Sequence, residues 1–258
     1  MSQSQPLALV QADAWSELRR FTAARIALGR CGSAGLPTAA HLAFQASHAQ
    51  ARDAVHTPLD IDALRATLAA HHWPSLAVNS AAPDRPTYLK RPDLGRILSP
   101  DSLALLSQPQ APCSIAVVVA DGLSSAAVTA NAEPVLAELL PLLRRAGRPW
   151  GEIVVATQAR VALGDAIGEA LQADAAVVLI GERPGLSATD SLGIYLTWMP
   201  RPGRVDAERN CISNIRAGGM EAAQAARQAA TLLDMMFTHR AAGIALSQIA
   251  SVPTMMSR

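Results

Sequence analysis

Residues 175–185 read AAVVLIGERPG, and this stretch decides the fold. An unbroken apolar run stops at a glycine, which is typical of a strand that is buried on both faces of a parallel sheet and ends in a loop. A simple turn at this point needs only the glycines and the proline. The side chains of Glu182 and Arg183 therefore require another explanation, of which a surface ion pair in a tight turn is the simplest.

Other apolar runs of the same kind alternate with helical patterns along the chain. The apolar runs span residues 114–120, 152–157, 175–180 and 193–198, and the helical patterns span residues 125–146, 161–171 and 221–240. Continuous apolar strands that alternate with helices indicate a parallel sheet covered by helices on both faces. The sequence therefore predicts an α/β fold with a doubly wound, mainly parallel Rossmann-like sheet.

The first part of the chain has a helical pattern instead. The predicted helices span residues 15–28, 38–56 and about 60–72. Residues 74–95 contain four prolines and no sustained period, which is typical of a linker or an extended surface segment. We therefore predict an N-terminal helical region with an extended linker over residues 1–95, and a Rossmann-like α/β domain over residues 96–258.

Composition argues against several classes of function. The chain has 258 residues and a formal net charge of +1, which speaks against duplex DNA or another strongly charged partner. Its three cysteines do not make a disulfide scaffold or a zinc site. The sequence starts without a signal-peptide pattern, and no apolar run approaches the length of a membrane span. We expect a soluble bacterial cytoplasmic protein that binds neither nucleic acid nor a membrane.

The predicted sheet also indicates where a ligand binds, because ligands of open α/β sheets lie beyond the carboxyl ends of the strands. If all the predicted strands are parallel, the loops that follow them meet at one edge. These loops span residues 121–124, 158–161, 181–185 and 199–214. They combine polar side chains, glycines that let a ligand approach the backbone, and the free N–H groups of helix N-termini. We therefore expect a pocket for a large polar ligand at this edge.

Each candidate residue in these loops also has a simpler interpretation. Asp121 and Gly122 are typical of an ordinary turn. An isolated cysteine such as Cys211 is usually a small buried apolar residue. Val161 has no reactive side chain, so only its backbone amide, in the first turn of a helix, could bind a ligand. Their joint placement at one edge is what favours a binding site.

No catalytic or metal-binding motif accompanies this predicted pocket. The glycine-rich stretch at residues 29–35 follows a helix rather than a strand and lacks the lysine of a phosphate loop. The six histidines are scattered without an obvious metal-ligand spacing, and no serine occupies a nucleophile elbow. The residues themselves therefore assemble no self-sufficient catalytic apparatus and indicate no metal site.

Several long stretches of the sequence match a known family. They include FTAARIALGRCG from residue 21, VVADGLSSAAVTAN from residue 118, RVALGDAIGEAL from residue 160, LIGERPGLSATDSLGIYLTW from residue 179 and DAERNCISNI from residue 206. The matches extend from about residue 15 to residue 245. In these stretches the chain resembles the small (light) subunit of ethanolamine ammonia-lyase.

The resemblance implies one part of a larger enzyme. The family's holoenzyme is a hetero-oligomer of several pairs of small subunits and large TIM-barrel subunits, with adenosylcobalamin between the two. It deaminates ethanolamine, a vicinal amino alcohol, to acetaldehyde and ammonia by a radical mechanism, and its substrate-binding groups belong to the large subunit. In the family, a backbone amide, a glutamate and a cysteine of the small subunit contact the corrinoid. The matching positions here are Val161, Glu182 and Cys211.

The resemblance also bears on the form of the cofactor and the location of the enzyme. Some cobalamin enzymes replace the cofactor's lower base with a histidine from an Asp-x-His-x-x-Gly motif. Asp53 and His56 have the wrong spacing for it, which favours a base-on cofactor, as the resemblance does. Many family members carry a long N-terminal extension linked to packaging in a bacterial microcompartment. Here the match begins within about fifteen residues of Met1, which argues for the bacterial cytoplasm, with a microcompartment as the alternative.

Other interpretations of the sequence stay open. One is a stand-alone α/β binding module or small-molecule enzyme that shares only the fold. Another is a purely structural partner that stabilises the large subunit without contacting the cofactor. Within the family interpretation, the position of Arg183 next to Glu182 predicts that it orients Glu182 or braces the loop.

Overall fold

The computed structural model describes residues 10, 13–22, 24–31, 35–108 and 113–251. These residues form a mixed α/β fold around a six-stranded sheet. The strands are β1 (Ser75–Asn79), β2 (Ile115–Ala120), β3 (Ile153–Thr157), β4 (Ala175–Gly181), β5 (Leu192–Trp198) and β6 (Arg209–Ile215). The helices are α1 (Thr38–His56), α2 (Ile61–Ala70), α3 (Arg85–Lys90), α4 (Pro100–Leu106), α5 (Ser125–Arg145), α6 (Leu163–Ala170), α7 (Ala222–His239) and α8 (Gly243–Ser251). Short 3₁₀ helices span Ser16–Arg20, Leu94–Arg96 and Asp206–Glu208.

The sheet has a parallel part and an antiparallel part. Its strand order is β1-β3-β2-β4-β5-β6. The first four strands of this order pair in parallel, whereas β5 pairs antiparallel with both β4 and β6. Every residue of β2 and β4 is buried, as expected for central strands with both faces covered. The predicted α/β class with a mostly parallel sheet is confirmed, and the predicted apolar runs form β2, β3, β4 and β5.

The direction of β5 contradicts the expectation that all the predicted strands are parallel. A parallel return needs a crossover of about a dozen residues or more, usually a helix. Only residues 182–191 connect β4 to β5, and they contain no helix. Strand β6 then pairs with β5, which places Cys211 opposite Tyr195. Strand β6 was not predicted, because polar residues interrupt its apolar pattern.

Helices pack on both faces of the sheet. Val117 of β2 points to the face covered by α2, α5, α7 and α8, which we call the α5 face. Its neighbour Val118 points to the opposite face, which α4 and α6 cover and which we call the α6 face. The apolar cluster of the α6 face includes Tyr195 of β5 but no residue of the described strand β6. This face is therefore exposed at β6, where Cys211 lies.

Helix α5 is the one described helix that is long and apolar enough, by composition, to cross a membrane. Its buried side chains belong to the core of the α5 face, where they pack with those of β2 and β4. The Ser124 side chain caps its N-terminus by accepting a hydrogen bond of 3.2 Å from the Ala127 N–H. The apolar character of α5 is therefore accounted for by its position in the core.

The prediction for the N-terminal region is partly wrong. Helices α1 and α2 form where they were predicted, but residues 15–28 do not form a helix. Of their described residues, only Ser16–Arg20 are helical, as a 3₁₀ helix. Their apolar side chains have no core to pack on, since Trp15 is 67% exposed and Phe21 is 74% exposed. A short amphipathic pattern does not hold an α-helix in water without such packing.

Residues 74–95 are not only a linker. Residues Ser75–Asn79 form β1, an edge strand that pairs in parallel with β3. Helix α3 follows, and the Asp84 side chain caps it by accepting a hydrogen bond of 2.7 Å from the Thr87 N–H. The interpretation as a linker is wrong here because a five-residue strand between prolines has too short a pattern to be recognised. The domain division at residues 95 and 96 stays a prediction.

Candidate functional site

A cavity of about 360 Å³ lies at the carboxyl edge of β2, β3 and β4. Its walls come from the loops that follow these three strands, from α3 and from β5. Each loop contributes to the lining: Gly122 comes from the loop after β2, Val161 from the loop after β3 and Glu182 from the loop after β4. The edge of the parallel strands therefore carries a concave site at the position that the strand order dictates.

The fourth predicted loop follows a different path. Because β5 is antiparallel, Met199 lies at the opposite edge, where its N–H donates to the Asp174 carbonyl over 2.7 Å. The loop then runs along α6, and Arg209 at the start of β6 forms a buried ion pair with Asp165. The expectation that this loop begins at the ligand edge is wrong. Cys211 reaches the site from inside β6 instead.

Backbone contacts set the spacing of two loops at the cavity. Gly122 has a φ of +56°, and a Cβ atom there would lie 2.2 Å from the carbonyl oxygen of Gly181. A Cβ atom at Gly181 would lie 2.1 Å from the carbonyl oxygen of Ser124. The Leu123 N–H donates a hydrogen bond of 2.9 Å to the same Gly181 oxygen. The loop after β2 is thus pressed against the end of β4, and only glycine fits at the two contacts.

Asp121 anchors the site and is not part of an ordinary turn. Its buried carboxylate accepts hydrogen bonds from the N–H groups of Ala159 (3.0 Å) and Gln158 (2.9 Å). It also accepts one of 3.0 Å from the guanidinium of Arg85, which in turn donates to the Gly122 carbonyl over 2.9 Å. Burial raises the pKa of Asp121, and the amide donors and Arg85 oppose that rise. This one carboxylate fixes the loops after β2 and β3 relative to α3.

Val161 offers a free backbone amide to the cavity. The residue lies in the turn that leads into α6, and its side chain is half-buried against the cluster of the α6 face. Its carbonyl accepts a hydrogen bond of 3.0 Å from the Gly164 N–H. Its own N–H donates to no residue that the structure describes. An unpaired N–H at a helix N-terminus is a ready donor for a ligand oxygen.

Glu182 is the first residue after β4, and its side chain is held in place. The Ser191 hydroxyl donates to Oε2 over 2.5 Å, and the Asn214 N–H approaches the same oxygen at 3.4 Å. The carboxylate lies over Gly193, where a Cβ atom would come within 3.0 Å of Oε1. Glu182 therefore presents a fixed, half-buried acceptor to the cavity.

Arg183 neither orients Glu182 nor braces the loop through a hydrogen bond or ion pair with a described residue, so that prediction is wrong. Its side chain is exposed and forms no hydrogen bond or ion pair with any described residue. The Ser191 hydroxyl occupies the orienting position instead. The charged pair in GERPG is thus not an ion pair, and its two members need separate explanations.

Cys211 is exposed on β6, which contradicts its simpler interpretation as a buried apolar residue. It lies opposite Tyr195 of β5. Partial burial raises the pKa of Cys211, the neighbouring Tyr195 side chain lowers it, and the negative charge of Glu182 raises it. The thiol therefore stays protonated at neutral pH, where it suits a contact better than a nucleophilic attack.

The arrangement is suited to binding and not to a reaction by these residues alone. It combines a backbone donor, a carboxylate acceptor and a neutral thiol with the apolar surfaces of Ile180 and Tyr195. In the part of the chain that the structure describes, no group of three or more His, Cys, Asp or Glu side chains could hold a metal ion. The fold and this edge define an α/β protein with a candidate ligand site at the carboxyl ends of parallel strands.

Comparison with known proteins identifies the family. Residues 12–247 match the family model of the ethanolamine ammonia-lyase light chain (EutC). The chain is 49% identical over 245 residues to the ethanolamine ammonia-lyase small subunit of Xanthomonas campestris pv. campestris (strain B100), covering 93% of this chain and 90% of that protein. It is 51% identical over 232 residues to the small subunit of Bradyrhizobium diazoefficiens, covering 89% of this chain and 88% of that protein. The chain belongs to the family of ethanolamine ammonia-lyase small subunits, which confirms the resemblance seen in the sequence.

The structure places the three residues implied by the family resemblance around one site. Val161 and Glu182 line the cavity, and Cys211 lies next to it through Tyr195. Sequence reasoning missed Tyr195 and Ser191. Tyr195 lies within an apolar run, so the sequence pattern did not mark it as a site residue. Because it pairs with Cys211 across β5 and β6, the two side chains point to the same face of the sheet. No local pattern marked Ser191.

Proposed function

We propose that this chain is the small subunit of an ethanolamine ammonia-lyase and helps to hold adenosylcobalamin against a large catalytic subunit. The observation that carries the proposal is that Val161 and Glu182 line one cavity at the carboxyl edge of the sheet, with Cys211 beside it in β6 opposite Tyr195. The holoenzyme deaminates ethanolamine to acetaldehyde and ammonia. We further propose that residues 96–258 act as a doubly wound, Rossmann-like cobalamin-binding domain, since helices pack on both faces of the sheet.

The groups at the edge fit the rim of a corrinoid. The corrin ring carries amide side chains, whose N–H groups donate and whose oxygens accept hydrogen bonds. The Glu182 carboxylate suits the donors, and the unpaired Val161 N–H suits an acceptor. Ile180 and Tyr195 supply apolar surface for the flat part of the ring. The Cys211 thiol, protonated and exposed, adds a weak polar contact next to Tyr195.

The size of the cavity supports a site that is shared with a partner. A volume of about 360 Å³ is at the lower end for sites that enclose a drug-sized ligand, and a corrinoid is far larger than such a ligand. This chain can therefore cover only one side of the cofactor. The remaining surface falls to the large subunit, which we propose to be a TIM barrel in a hetero-oligomer of several large–small pairs.

The chemical roles divide between cofactor and protein. Adenosylcobalamin, which we propose to be base-on, would supply the radical chemistry when it is bound next to Val161 and Glu182. The residues of this chain bind the corrinoid, orient it and exclude water from that side of the site. We propose that the groups contacting ethanolamine lie on the large subunit, that this chain has no catalytic residue, and that the enzyme works in the bacterial cytoplasm.

Acetaldehyde release tests the division of roles. It is measured with ethanolamine and adenosylcobalamin for this chain alone, for its large subunit alone and for the co-expressed pair. Activity that appears only in the co-expressed pair supports the proposal. Full activity of the large subunit alone would show that this chain is a structural accessory.

Cofactor affinity tests the site itself. Glu182→Ala in the co-expressed complex is expected to weaken adenosylcobalamin binding by about 1–3 kcal/mol, because the corrin amides lose a fixed acceptor that is half-buried in this chain. Equilibrium dialysis followed by cofactor absorbance measures this change. Glu152→Ala is the matched control, since Glu152 is also half-buried but precedes β3 at the opposite edge of the sheet. If Glu182→Ala binds adenosylcobalamin as tightly as Glu152→Ala does, this chain is instead a structural partner that does not contact the cofactor.

A further inference from the structure

A second cavity, of about 330 Å³, lies beside the first and is lined by four arginines. They are Arg96, Arg160, Arg204 and Arg209. The same cavity includes the backbone of Val161 and Ala162, which leads into α6. The one acidic residue in its lining is Asp206, which is exposed. We call this space the arginine cavity.

Two of the four guanidinium groups already have carboxylate partners. Arg209 forms an ion pair with Asp165, and both side chains are 2% exposed. Arg204 forms an ion pair with Glu208 and donates to the Met199 carbonyl over 3.1 Å. These two arginines hold the loop that connects β5 to β6 against α6, and their charge is largely compensated.

The other two guanidinium groups have no carboxylate partner among the described residues. The Arg96 side chain is exposed and makes no hydrogen bond or ion pair there. The Arg160 guanidinium stacks over the Tyr88 ring at 4.4 Å, and the one hydrogen bond that it makes with a described residue is a long contact of 3.4 Å with the Tyr88 carbonyl. Its buried Nε has no hydrogen-bond partner. Arg96 and Arg160 carry two positive charges without a carboxylate partner, and Asp206 supplies only one negative charge. The cavity therefore has an excess of positive charge.

The backbone adds two further donors to the arginine cavity. Neither the Val161 N–H nor the Ala162 N–H donates to a residue that the structure describes. Both lie where the positive end of the α6 dipole meets the cavity. Free amides at a helix N-terminus together with planar guanidinium groups are the donor set that binds phosphate oxygens.

The arginine cavity adjoins the proposed cofactor site. Arg160 and Val161 line both spaces, so the two sites share part of their walls. A base-on cobalamin carries one phosphate group, the phosphodiester that links its nucleotide to a side chain of the corrin ring. A corrinoid held at Glu182 and Val161 therefore has an anionic group of the right chemistry on a flexible arm next to this cavity.

We propose that the arginine cavity binds a phosphate group, and that in the holoenzyme this is the phosphodiester of the cobalamin nucleotide. The proposal rests on the proposed function, because it places a second part of the same cofactor. Arg96 and Arg160 supply the charge, and the Ala162 amide supplies a directed hydrogen bond, while the Val161 amide stays with the corrin ring. The cavity then selects complete cobalamin over corrinoids that lack the nucleotide.

Arg96→Gln in the complex with the large subunit tests this proposal. The side chain is exposed and unpaired, so its removal leaves the fold intact, which the unfolding temperature checks. Affinities for adenosylcobalamin and for adenosylcobinamide, which lacks the phosphodiester and nucleotide, are measured by equilibrium dialysis. We expect the substitution to weaken adenosylcobalamin binding about tenfold and adenosylcobinamide binding less than twofold. Arg201→Gln is the control, because Arg201 is exposed in the same region but lines neither cavity.

The outcomes separate this proposal from the proposed function. An equal loss for both corrinoids, or no loss for either, overturns the phosphate site. If Glu182→Ala still weakens both corrinoids, the cofactor site stands without the phosphate site. A loss for Arg201→Gln as large as that for Arg96→Gln points to general electrostatic attraction and also overturns the proposal.

Inorganic phosphate distinguishes the two sources of the phosphate group. It is titrated calorimetrically into complexes saturated with adenosylcobinamide or with adenosylcobalamin. We expect binding only in the adenosylcobinamide complex, and weaker binding with Arg96→Gln. Equal binding to both complexes would keep a phosphate site but assign it to a free ion, which overturns the role of the cofactor's phosphodiester.

Discussion

The two parts of the sheet deliver their residues to the proposed cofactor site in different ways. The parallel part supplies loops, whose residues Gly122, Val161 and Glu182 lie beyond the ends of strands. The antiparallel part supplies side chains from inside strands, since Tyr195 and Cys211 are a cross-strand pair of β5 and β6. Backbone contacts fix the first group, whereas strand register fixes the second.

This difference predicts different responses to substitution. The loops are positioned by contacts such as that of Gly122 with Gly181, where no side chain fits. A change there moves the backbone and with it the amide of Leu123. The side chains of Tyr195 and Cys211 point away from the backbone hydrogen bonds that pair β5 with β6. Replacing one of these side chains therefore leaves the neighbouring backbone in place. Stability should depend on the loops, and affinity should depend on individual side chains.

The largest effect is expected for Gly122→Ala. The new Cβ atom would meet the Gly181 oxygen at 2.2 Å and would occupy a left-handed φ of +56°. We expect the free energy of unfolding to fall by about 3 kcal/mol, from steric overlap together with backbone strain. Urea denaturation measures the change. Gly147→Ala is the matched control, because Gly147 has a φ of +67° but nothing within 4 Å of its Cβ position. Equal losses at both positions would mean that the contact with Gly181 contributes nothing.

A smaller effect concerns the buried ion pair between Asp165 of α6 and Arg209 of β6. Burial raises the pKa of Asp165 to about 6, although Arg209 opposes the rise. Because the folded pKa lies above the unfolded value of about 4, folding favours the protonated carboxyl. Its contribution to the free energy of unfolding is complete below pH 4 and is lost as the pH rises through 6. We expect a loss of roughly 2 kcal/mol over this range.

Asp165→Asn checks this pH dependence, since an amide cannot ionise. Unfolding free energies of both proteins are measured by urea denaturation from pH 4 to pH 7. The difference between wild type and variant should change across the interval, and a difference that stays constant with pH would contradict the raised pKa. Arg209 is present in both proteins, so the free-energy cost of burying its guanidinium enters both measurements.

The smallest effect is expected for Ser191→Ala, which frees the Glu182 side chain. The variant should weaken adenosylcobalamin binding by about 1 kcal/mol, because the carboxylate must then be ordered by the cofactor itself. The free energy of unfolding should change little. Ser187→Ala is the control, because Ser187 is exposed in the same connection and forms no hydrogen bond with a described residue. A loss of stability without a loss of affinity would show that Ser191 supports the fold and not the site.

The fold was predictable where the sequence pattern is local. Apolar runs identified β2 to β5, and helical periods identified α1, α2, α5, α6 and α7. The antiparallel direction of β5 could also have been predicted from the sequence, because residues 182–191 are too few for a helical crossover. Strand β1 escaped because it is short, and the N-terminal helix was wrongly predicted because its apolar pattern has no core to pack on.

The site was predictable only in part. The rule for parallel sheets located the loops of Val161 and Glu182, and the family resemblance singled out the residues. The groups that hold them came from distant or unpatterned positions. Arg85 reaches Asp121 from 36 residues away, and Ser191 reaches Glu182 across the connection between β4 and β5. Such partners follow from tertiary packing, which no local spacing records.

The contact of Gly122 with Gly181 has a consequence for engineering this protein. Because one loop leans on the end of the neighbouring strand, an insertion or deletion in either would shift the donors and acceptors of the cavity together. Redesign for an unnatural corrinoid should therefore leave the loop lengths alone. Tyr195 and Cys211 are the better positions to vary. A library of substitutions at these two residues changes the surface of β5 and β6 next to the cavity and leaves the spacing of the loops unchanged.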